Sequence, residues 1–332
     1  VPFHVPLITY KNKIVYANNR TRELVIQDSI NLERKHVALA DFGNGAINVD
    51  QSSGYAAICS QSGSRLVLFN ILNPSVIRRF DFPIFDGDDN CFGVSVRQLS
   101  NDVLLLYIGS TGNRKLIKGY YMISKNQMVT GRVRQMVSGA FNIVQVGSKV
   151  FTINGRGNNV ASIPLVFDQM NLAVSMGDPM GDTTRSGLTA RYAWWVIHPH
   201  SESGRVFYAD PYGHVLHGFS IAQPQAGDVL EVPFKADSVK AILDFRQCMI
   251  LVGQATDLKA DDTSGPNDRR LMISVLKRDQ AGAFNEVLTK TFSDSFLIGP
   301  AYAGIDSNGT ITASHSWGIS RVYRPFDTSI CN

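Results

Sequence analysis

The feature that most limits how this chain can fold is the recurrence, from end to end, of short apolar runs bounded by Gly, Asn, Asp, Ser or Pro, with no sustained helical period. Such runs are strands joined by tight turns. Leu7–Tyr10, Lys13–Asn18, Glu23–Gln27 and His36–Ala40 make a first group of four. Ile47–Asp50, Tyr55–Ser60, Arg65–Phe69 and Val76–Phe82 make a second, and Gly93–Gln98, Val103–Gly109, Lys115–Ile123 and Met128–Met136 a third. The same grammar gives Phe141–Val146, Lys149–Asn154, Ala161–Phe167 and Ala173–Met176. It continues with Tyr192–His198, Arg205–Ala209, His214–Ile221 and Val229–Phe234, and with Val239–Phe245, Met249–Gln254, Arg270–Lys277 and Glu286–Phe292. Ala301–Asp306, Thr310–Ser314 and Ser320–Pro325 offer three strands at the end of the chain.

A meander of four short strands has two faces to cover and stays dry only when stacked against neighbours, and radial stacking leaves only short, protected edges. The expected architecture is therefore all-β, a seven-bladed β-propeller of four-stranded antiparallel blades forming one domain over residues 1–332. The last unit is one strand short, and Pro2–Val5 is the segment available to close the ring. Two β-sandwiches use similar strand lengths, but no Pro/Ser-rich or charged linker divides the chain. The blades share no repeat signature: no W-D dipeptide occurs, G-H occurs once, at Gly213-His214, without recurring, the kelch glycines are missing, and Asp306-Ser-Asn-Gly-Thr310 departs from an aspartate box in its glycine position and lacks the aromatic.

Apolar residues at 44% against 18% charged suffice for a packed core and exclude a disordered chain. The longest apolar run, Val103–Gly109, is strand-sized, so no membrane-spanning helix is expected. With 32 Lys+Arg against 28 Asp+Glu and no long basic run, nucleic acid is not an expected partner. Cys59, Cys91, Cys248 and Cys331 contain no C-x-x-C pair, which removes a zinc knuckle; as disulfides the expected pairs are Cys59–Cys91 and Cys248–Cys331, each on the same or neighbouring units. Asn19-Arg-Thr21 and Asn308-Gly-Thr310 are glycosylation sequons, whereas proline spoils Asn73-Pro-Ser75. Cysteine number, sequons and an initial Val1 in place of Met together favour a processed, secreted protein.

Chemistry concentrates in the fifth unit. Arg191-Tyr-Ala-Trp-Trp-Val-Ile-His-Pro-His200 and Asp210-Pro-Tyr-Gly-His-Val-Leu-His217 hold two of the three tryptophans and four of the seven histidines. In a strand, Tyr192, Trp194 and His198 share one face, while Arg191, Trp195 and Ile197 share the other. Aromatic rings stack on the C–H faces of sugars and neighbouring polar groups bind hydroxyls, so Trp194, Trp195, His198, His200, Tyr212 and His214 are the candidate ligand-binding residues. The competing reading is structural, with the tryptophans wedged between blades and Asp-Pro-Tyr-Gly a turn. His198 and His200 have ligand spacing on one face, with His214 or His217 across the hairpin, but Pro199 interrupts the strand and no third metal ligand is fixed.

No cofactor is expected. Asp86, Asp88 and Asp89 in one acidic loop are calcium candidates without EF-hand spacing, as are Asp261, Asp262 and Asn267 in the long Asp257–Asp268 connection. No G-x-S-x-G elbow occurs. Arg97, Arg156, Arg191 and Arg246 are available for a sialidase-like carboxylate clamp, and a lyase would use Arg191 against a uronate with Tyr192 or His198 as base. The reading that needs no catalytic signature is a secreted or surface-exposed recognition protein binding a glycan or protein partner. The alternative is a carbohydrate-active enzyme, a polysaccharide lyase or glycosidase, with its site at the propeller axis. An intracellular scaffold is disfavoured by the sequons and the absent WD signature.

Overall fold

In the computed structural model the residues described are all those outside 1–6, 19–20, 40–45, 61–64, 75, 82–90, 111–113, 137–139, 155–162, 177–195, 211–213, 225–228, 236, 257–268, 297–301, 316–317 and 323. They form seven antiparallel meanders. The first contains β1 (Leu7–Tyr10), β2 (Lys13–Asn18), β3 (Glu23–Asp28) and β4 (Arg34–Ala38); the second β5 (Ile47–Val49), β6 (Tyr55–Cys59), β7 (Arg65–Asn70) and β8 (Ile77–Asp81). The third contains β9 (Cys91–Ser100), β10 (Val103–Ser110), β11 (Lys115–Met122) and β12 (Gln127–Gln135); the fourth β13 (Ala140–Val146), β14 (Lys149–Asn154), β15 (Ile163–Asp168) and β16 (Val174–Met176). The fifth contains β17 (Ile197–His200), β18 (Arg205–Asp210), β19 (Val215–Ser220) and β20 (Val229–Pro233); the sixth β21 (Asp237–Phe245), β22 (Cys248–Thr256), β23 (Arg269–Arg278) and β24 (Phe284–Phe296). The last contains β25 (Tyr302–Ile305), β26 (Ile311–His315) and β27 (Gly318–Val322).

This is the four-stranded propeller grammar with one correction. Among the described residues six sheets are four-stranded blades and the carboxyl-terminal sheet has three strands, in place of the seven four-stranded blades expected. Closure through a hydrogen-bonded amino-terminal strand is not present among the described residues either; the segment proposed for it, Pro2–Val5, lies outside them. What joins the last sheet to the first is side-by-side packing. The opening strands of successive sheets are neighbours, β1 beside β5, β5 beside β9, β9 beside β13, β13 beside β17, β17 beside β21, β21 beside β25, and β25 beside β1.

Burial follows from that arrangement. Inner strands are covered on both faces by adjacent sheets, so Leu104–Ser110 of β10 is continuously buried, while the fourth strands β4 and β12 are mostly exposed. The outer strands carry charge where an unpaired edge would invite another chain: Arg34 and Lys35 on β4, Arg132 and Arg134 on β12. The core is accordingly divided into clusters between sheets. Leu66, Val94 and Leu106 fill the second junction, Phe167, Leu105 and Tyr107 the third, and Phe207, Leu251 and Phe284 the fifth.

Both disulfides fall at such junctions with the expected pairing. Cys59–Cys91 ties β6 to β9, and Cys248–Cys331 ties β22 to the 3-10 turn Thr328–Cys331. That turn is capped by Asp327, whose carboxylate accepts the Ser329 N–H. Phe326 beside it packs edge-on against Phe245. Polar side chains near the axis add links between sheets: Asn48 Oδ1 accepts Val96 N–H, Asp50 Oδ2 accepts Gln98 N–H at 2.7 Å, and Gln145 Nε2 donates to Ser95 Oγ. Four acceptor contacts hold the Asp50 carboxylate below its usual range, outweighing a burial effect that pushes it up.

Candidate functional site

In a meander the first and third hairpins share one end of the sheet, and here they are hydrogen-bonded together: Ser29 N–H to Asn12 O, Ile71 N–H to Gly54 O, Ile123 N–H to Asp102 O, Gln169 N–H to Ser148 O, Ile221 N–H to Gly204 O, and Arg278 N–H to Gln247 O. At this end a cleft of about 680 Å³ opens between the first hairpins of the sixth, last and first sheets. Lys11 and Asn12 line it from the first sheet, Asp244, Phe245 and Arg246 from the sixth, and Ile305, Asp306 and Ser307 from the last.

Local turn chemistry places these groups. Tyr10 pairs with Lys13 and Phe245 with Cys248, leaving two-residue turns in which Lys11 (φ 51°) and Arg246 (φ 55°) take the left-handed conformation required by a tight hairpin. The Asp306 carboxylate is turned inward, accepting Asn308 and Thr310 N–H groups, so it shapes the rim while Asp244, with its side chain 44% exposed, remains open to a ligand. Arg246 is held: its Nη1 donates to Thr328 O and to Asn332 Oδ1 at 2.6 Å, and its guanidinium lies 5.0 Å from the Phe245 ring. Lys277 Nζ donates to Asn332 O at 2.8 Å. The tail fixed by Cys248–Cys331 thus sets the position of one of the two cations at the cleft.

Asp244 also connects the cleft to the fifth sheet. His198 Nε2 lies 2.9 Å from Asp244 Oδ1, close in distance but outside hydrogen-bond alignment, and His200 Nε2 is 3.8 Å from the same oxygen. His200 is 3% exposed, edge-on to Phe207 and Phe284. Its Nδ1 accepts the Ser203 N–H, which puts the ring proton of the neutral form on Nε2, towards Asp244. Burial is the dominant influence and lowers the His200 pKa, against the opposing pull of Asp244.

His198 and His200 therefore share one face, as strand spacing predicts. His214 does not join them: it sits in the second hairpin at the opposite end, with φ 52° and its ring 5.9 Å from Phe234. His217 is on the third strand of the sheet with Nδ1 3.7 Å from Glu231. Among the described residues no group of three His, Cys, Asp or Glu side chains is placed to hold a metal ion. Arg191, Tyr192, Trp194, Trp195, Tyr212, Arg156, Asn19, the calcium candidates Asp86, Asp88 and Asp89, and the Asp257–Asp268 connection all lie outside the described residues. Arg97 and Arg246 do not converge, Arg97 donating to Gly147 O and Arg246 to the tail. Asn308 is exposed on its turn. Lys11 and Asp244 were not among the residues expected from sequence. The signal that marks them is position, since both lie at the first hairpin of a meander.

No known protein family matches the sequence, and no curated protein matches it. Solved structures do. A streptogramin B lyase aligns at 10% identity over 97% of this chain and 94% of its own, with a TM-score of 0.58. A chain of a mitotic checkpoint complex aligns at 10% identity over 97% and 87%, with a TM-score of 0.63. The WD40 repeats of RRP9 align at 11% identity over 96% and 90%, with a TM-score of 0.54. At such identities the likeness establishes the propeller fold alone.

Proposed function

We propose that this chain is a secreted recognition propeller, one domain over residues 1–332, that binds a glycan or protein partner through its hairpin loops. The observation that carries the reading is the cleft, where hairpins from three sheets bring Lys11, Arg246 and the open Asp244 carboxylate around one volume. Two disulfides are consistent with an extracellular protein. In this reading Asn19 and Asn308 carry glycans, and His198, His200, Trp194, Trp195 and Tyr212 contribute to ligand binding. The mitotic checkpoint complex chain shows that a propeller of this shape can serve in a protein assembly. The test is surface plasmon resonance against a panel of extracellular glycans and proteins. Saturable binding that weakens at least tenfold (about 1.4 kcal/mol) in Asp244→Asn supports the cleft, and binding indifferent to Asp244→Asn and Arg246→Ala refutes it.

One contact favours a second reading, a polysaccharide lyase or glycosidase: His198 Nε2 lies 2.9 Å from Asp244 Oδ1, which brings an imidazole beside a carboxylate that lines the cleft. A lyase would have His198 or Tyr192 remove the proton next to a uronate carboxylate neutralised by Arg191, the freed electron pair forming the double bond that expels the glycosidic oxygen. Ultraviolet absorbance of the unsaturated uronate, lost in His198→Ala, is the result expected of it. Binding without product removes it.

A further inference from the structure

Charge is unevenly distributed along this chain. Between Asp102 and Asp168 no Asp or Glu occurs, yet the interval holds eight of the 32 Lys and Arg residues. The third sheet from β10 onward is therefore purely cationic, while the remainder of the chain is net acidic.

The eight cations are not equivalent. Lys118 is buried and donates to Gln169 O and Met170 O, Lys149 donates to Ser175 Oγ, Lys125 stands at the cleft end where Asp102 faces it, and Arg156 lies outside the described residues. The other four come together at the end of the third sheet away from the cleft. Lys115 pairs with Gln135 and Leu116 with Arg134, and Arg114 O accepts Met136 N–H at 2.8 Å, which holds Arg114 and Lys115 beside the end of β12. Just before Arg134 a bulge sets Gly131 and Arg132 opposite the single residue Lys118. Arg114, Arg132 and Arg134 are exposed, Lys115 is half-buried, and among the described residues none of the four is ion-paired.

Protecting an outer edge does not explain this. Charge of either sign blocks an unpaired edge, and β20 uses Glu231 while β24 carries Glu286 as well as Lys290. Around β12 the carboxylates are missing. The outer strand of the second sheet continues the bias, with Arg78 and Arg79 exposed against one carboxylate, Asp81, and Arg78 reaching the Tyr121 hydroxyl of β11.

We propose that this outer wall of the third sheet, centred on Arg114, Lys115, Arg132 and Arg134, binds a linear sulfated polysaccharide. Guanidinium forks bind oxyanions through paired N–H donors, and three of the four cations are arginines. The strand β12 is nine residues, about 30 Å long at about 3.3 Å per residue, and exposed along almost all of it, so an extended polymer fits beside it. Nucleic acid shares the charge, but β12 carries no aromatic ring on which bases stack, and two disulfides are consistent with an extracellular protein, whose polyanionic partners are glycans. The inference is independent of the ligand assigned to the cleft, which lies at the other end of the sheets.

The experiment is surface plasmon resonance of the disulfide-intact protein on immobilised heparin and on the same heparin chemically desulfated, at about 0.15 M salt. Two double variants with the same change in net charge are compared, Arg132→Gln with Arg134→Gln, and Lys235→Gln with Lys290→Gln on the sixth sheet. Heparin binding is expected to weaken at least tenfold in the first and less than twofold in the second, to fall with added salt, and to be lost on desulfation. Both substituted arginines are exposed on an outer strand, so an unchanged melting transition is the folding control, and Arg114→Gln gives a second check on another element. No binding to heparin, equal weakening in the two double variants, or binding indifferent to desulfation overturns the proposal. A DNA duplex bound as tightly as heparin, with the same dependence on Arg132 and Arg134, also overturns it and assigns the wall to nucleic acid. Heparin binding is expected to be unchanged in Asp244→Asn, and a cleft ligand to be indifferent to the arginine pair, which separates the two sites.

Discussion

Lys118→Met tests whether a buried ammonium holds the fourth sheet's outer turn against the third. The side chain keeps most of its length and apolar stem but loses the donors to Gln169 O and Met170 O. A hydrogen bond to a charged group contributes about 1.5–3 kcal/mol, and relief of the buried charge offsets part of that, giving an expected loss of about 2 kcal/mol. Gln169 O still accepts from Tyr107 OH at 2.9 Å, so only Met170 O loses its one side-chain donor. Tyr107→Phe alone removes one neutral hydrogen bond, about 1 kcal/mol. In the double variant Gln169 O loses both side-chain donors, and the combined loss should exceed the sum of the single losses by about 1 kcal/mol. The assay is urea denaturation at pH 7 with disulfides intact, all four proteins measured together. A Lys118→Met protein within about 0.5 kcal/mol of the parent, or strictly additive losses, refutes the reasoning.

Replacing each cystine by a pair of alanines should destabilise by about 4 kcal/mol for Cys59–Cys91, separated by 32 residues, and by about 0.8 kcal/mol more for Cys248–Cys331, separated by 83. Only the second pair frees the tail from Arg246, so in resonance experiments it alone should weaken ligand binding at the cleft. The Lys13 hydrogen bond and the Ile30 and Asn31 N–H groups lower Asp28 to about 2. Its contribution is complete above the unfolded value near 4 and is lost as pH falls towards 2, and Asp28→Asn should flatten that part of the melting profile. His200 works from the other side of neutrality: burial lowers its pKa, so the unfolded chain takes up a proton near pH 6.5 that the folded chain refuses. Stability should fall as pH drops below about 6.5, and a profile as steep in His200→Asn as in the parent would remove the assignment. A methyl on Gly304 would meet Thr9 Cγ2, so Gly304→Ala should lose about 1–3 kcal/mol in thermal melts and regain part of it with Thr9→Ala; full stability of the single variant would refute close approach of β25 and β1.

Strands were legible because their signal is carried by apolar side chains at a period the backbone imposes. Leu7–Tyr10 and Lys13–Asn18 lie where the sequence predicts, and Ala173–Met176 differs from Val174–Met176 by one residue. The cysteine pairing was legible because neighbouring units become neighbouring sheets. A repeat in the turns was not. Asp28-Ser-Ile-Asn-Leu32 and Asp168-Gln-Met-Asn-Leu172 build the same turn, with the aspartate accepting two N–H groups and the leucine at φ 63° and 56°. The repeat is short, lies in two non-consecutive sheets, and is encoded by side-chain-to-backbone bonds that hydrophobic patterning does not register. Asp244 was hidden for a related reason. A carboxylate at the end of an alternating strand reads as a solvated terminus until the ring brings His198 and His200 against it.

The junction between the last sheet and the first shows what the ring asks of its sequence. Its dedicated cluster is small, Leu7, Ile14, Tyr16 and Val25 with Tyr302 against them, and neither disulfide crosses it. A three-stranded sheet has less apolar surface to offer each neighbour than a four-stranded one. Two features offset that deficit. Tyr302, partly buried, packs against both this cluster and the one between the first two sheets, and burial pushes its hydroxyl up to about 12. On its other side the last sheet is fastened by Cys248–Cys331, with Phe326 and Cys331 of the tail completing the cluster of Ile250, Ile273 and Ala313. A sheet fixed on one side needs only modest attraction on the other, because holding it beside the sixth sheet already removes most of its freedom to swing away from the first. The covalent tie to the sixth sheet and the apolar contact with the first thus act on the same narrow sheet, and the tail that supplies the tie also fixes Arg246 at the edge of the cleft.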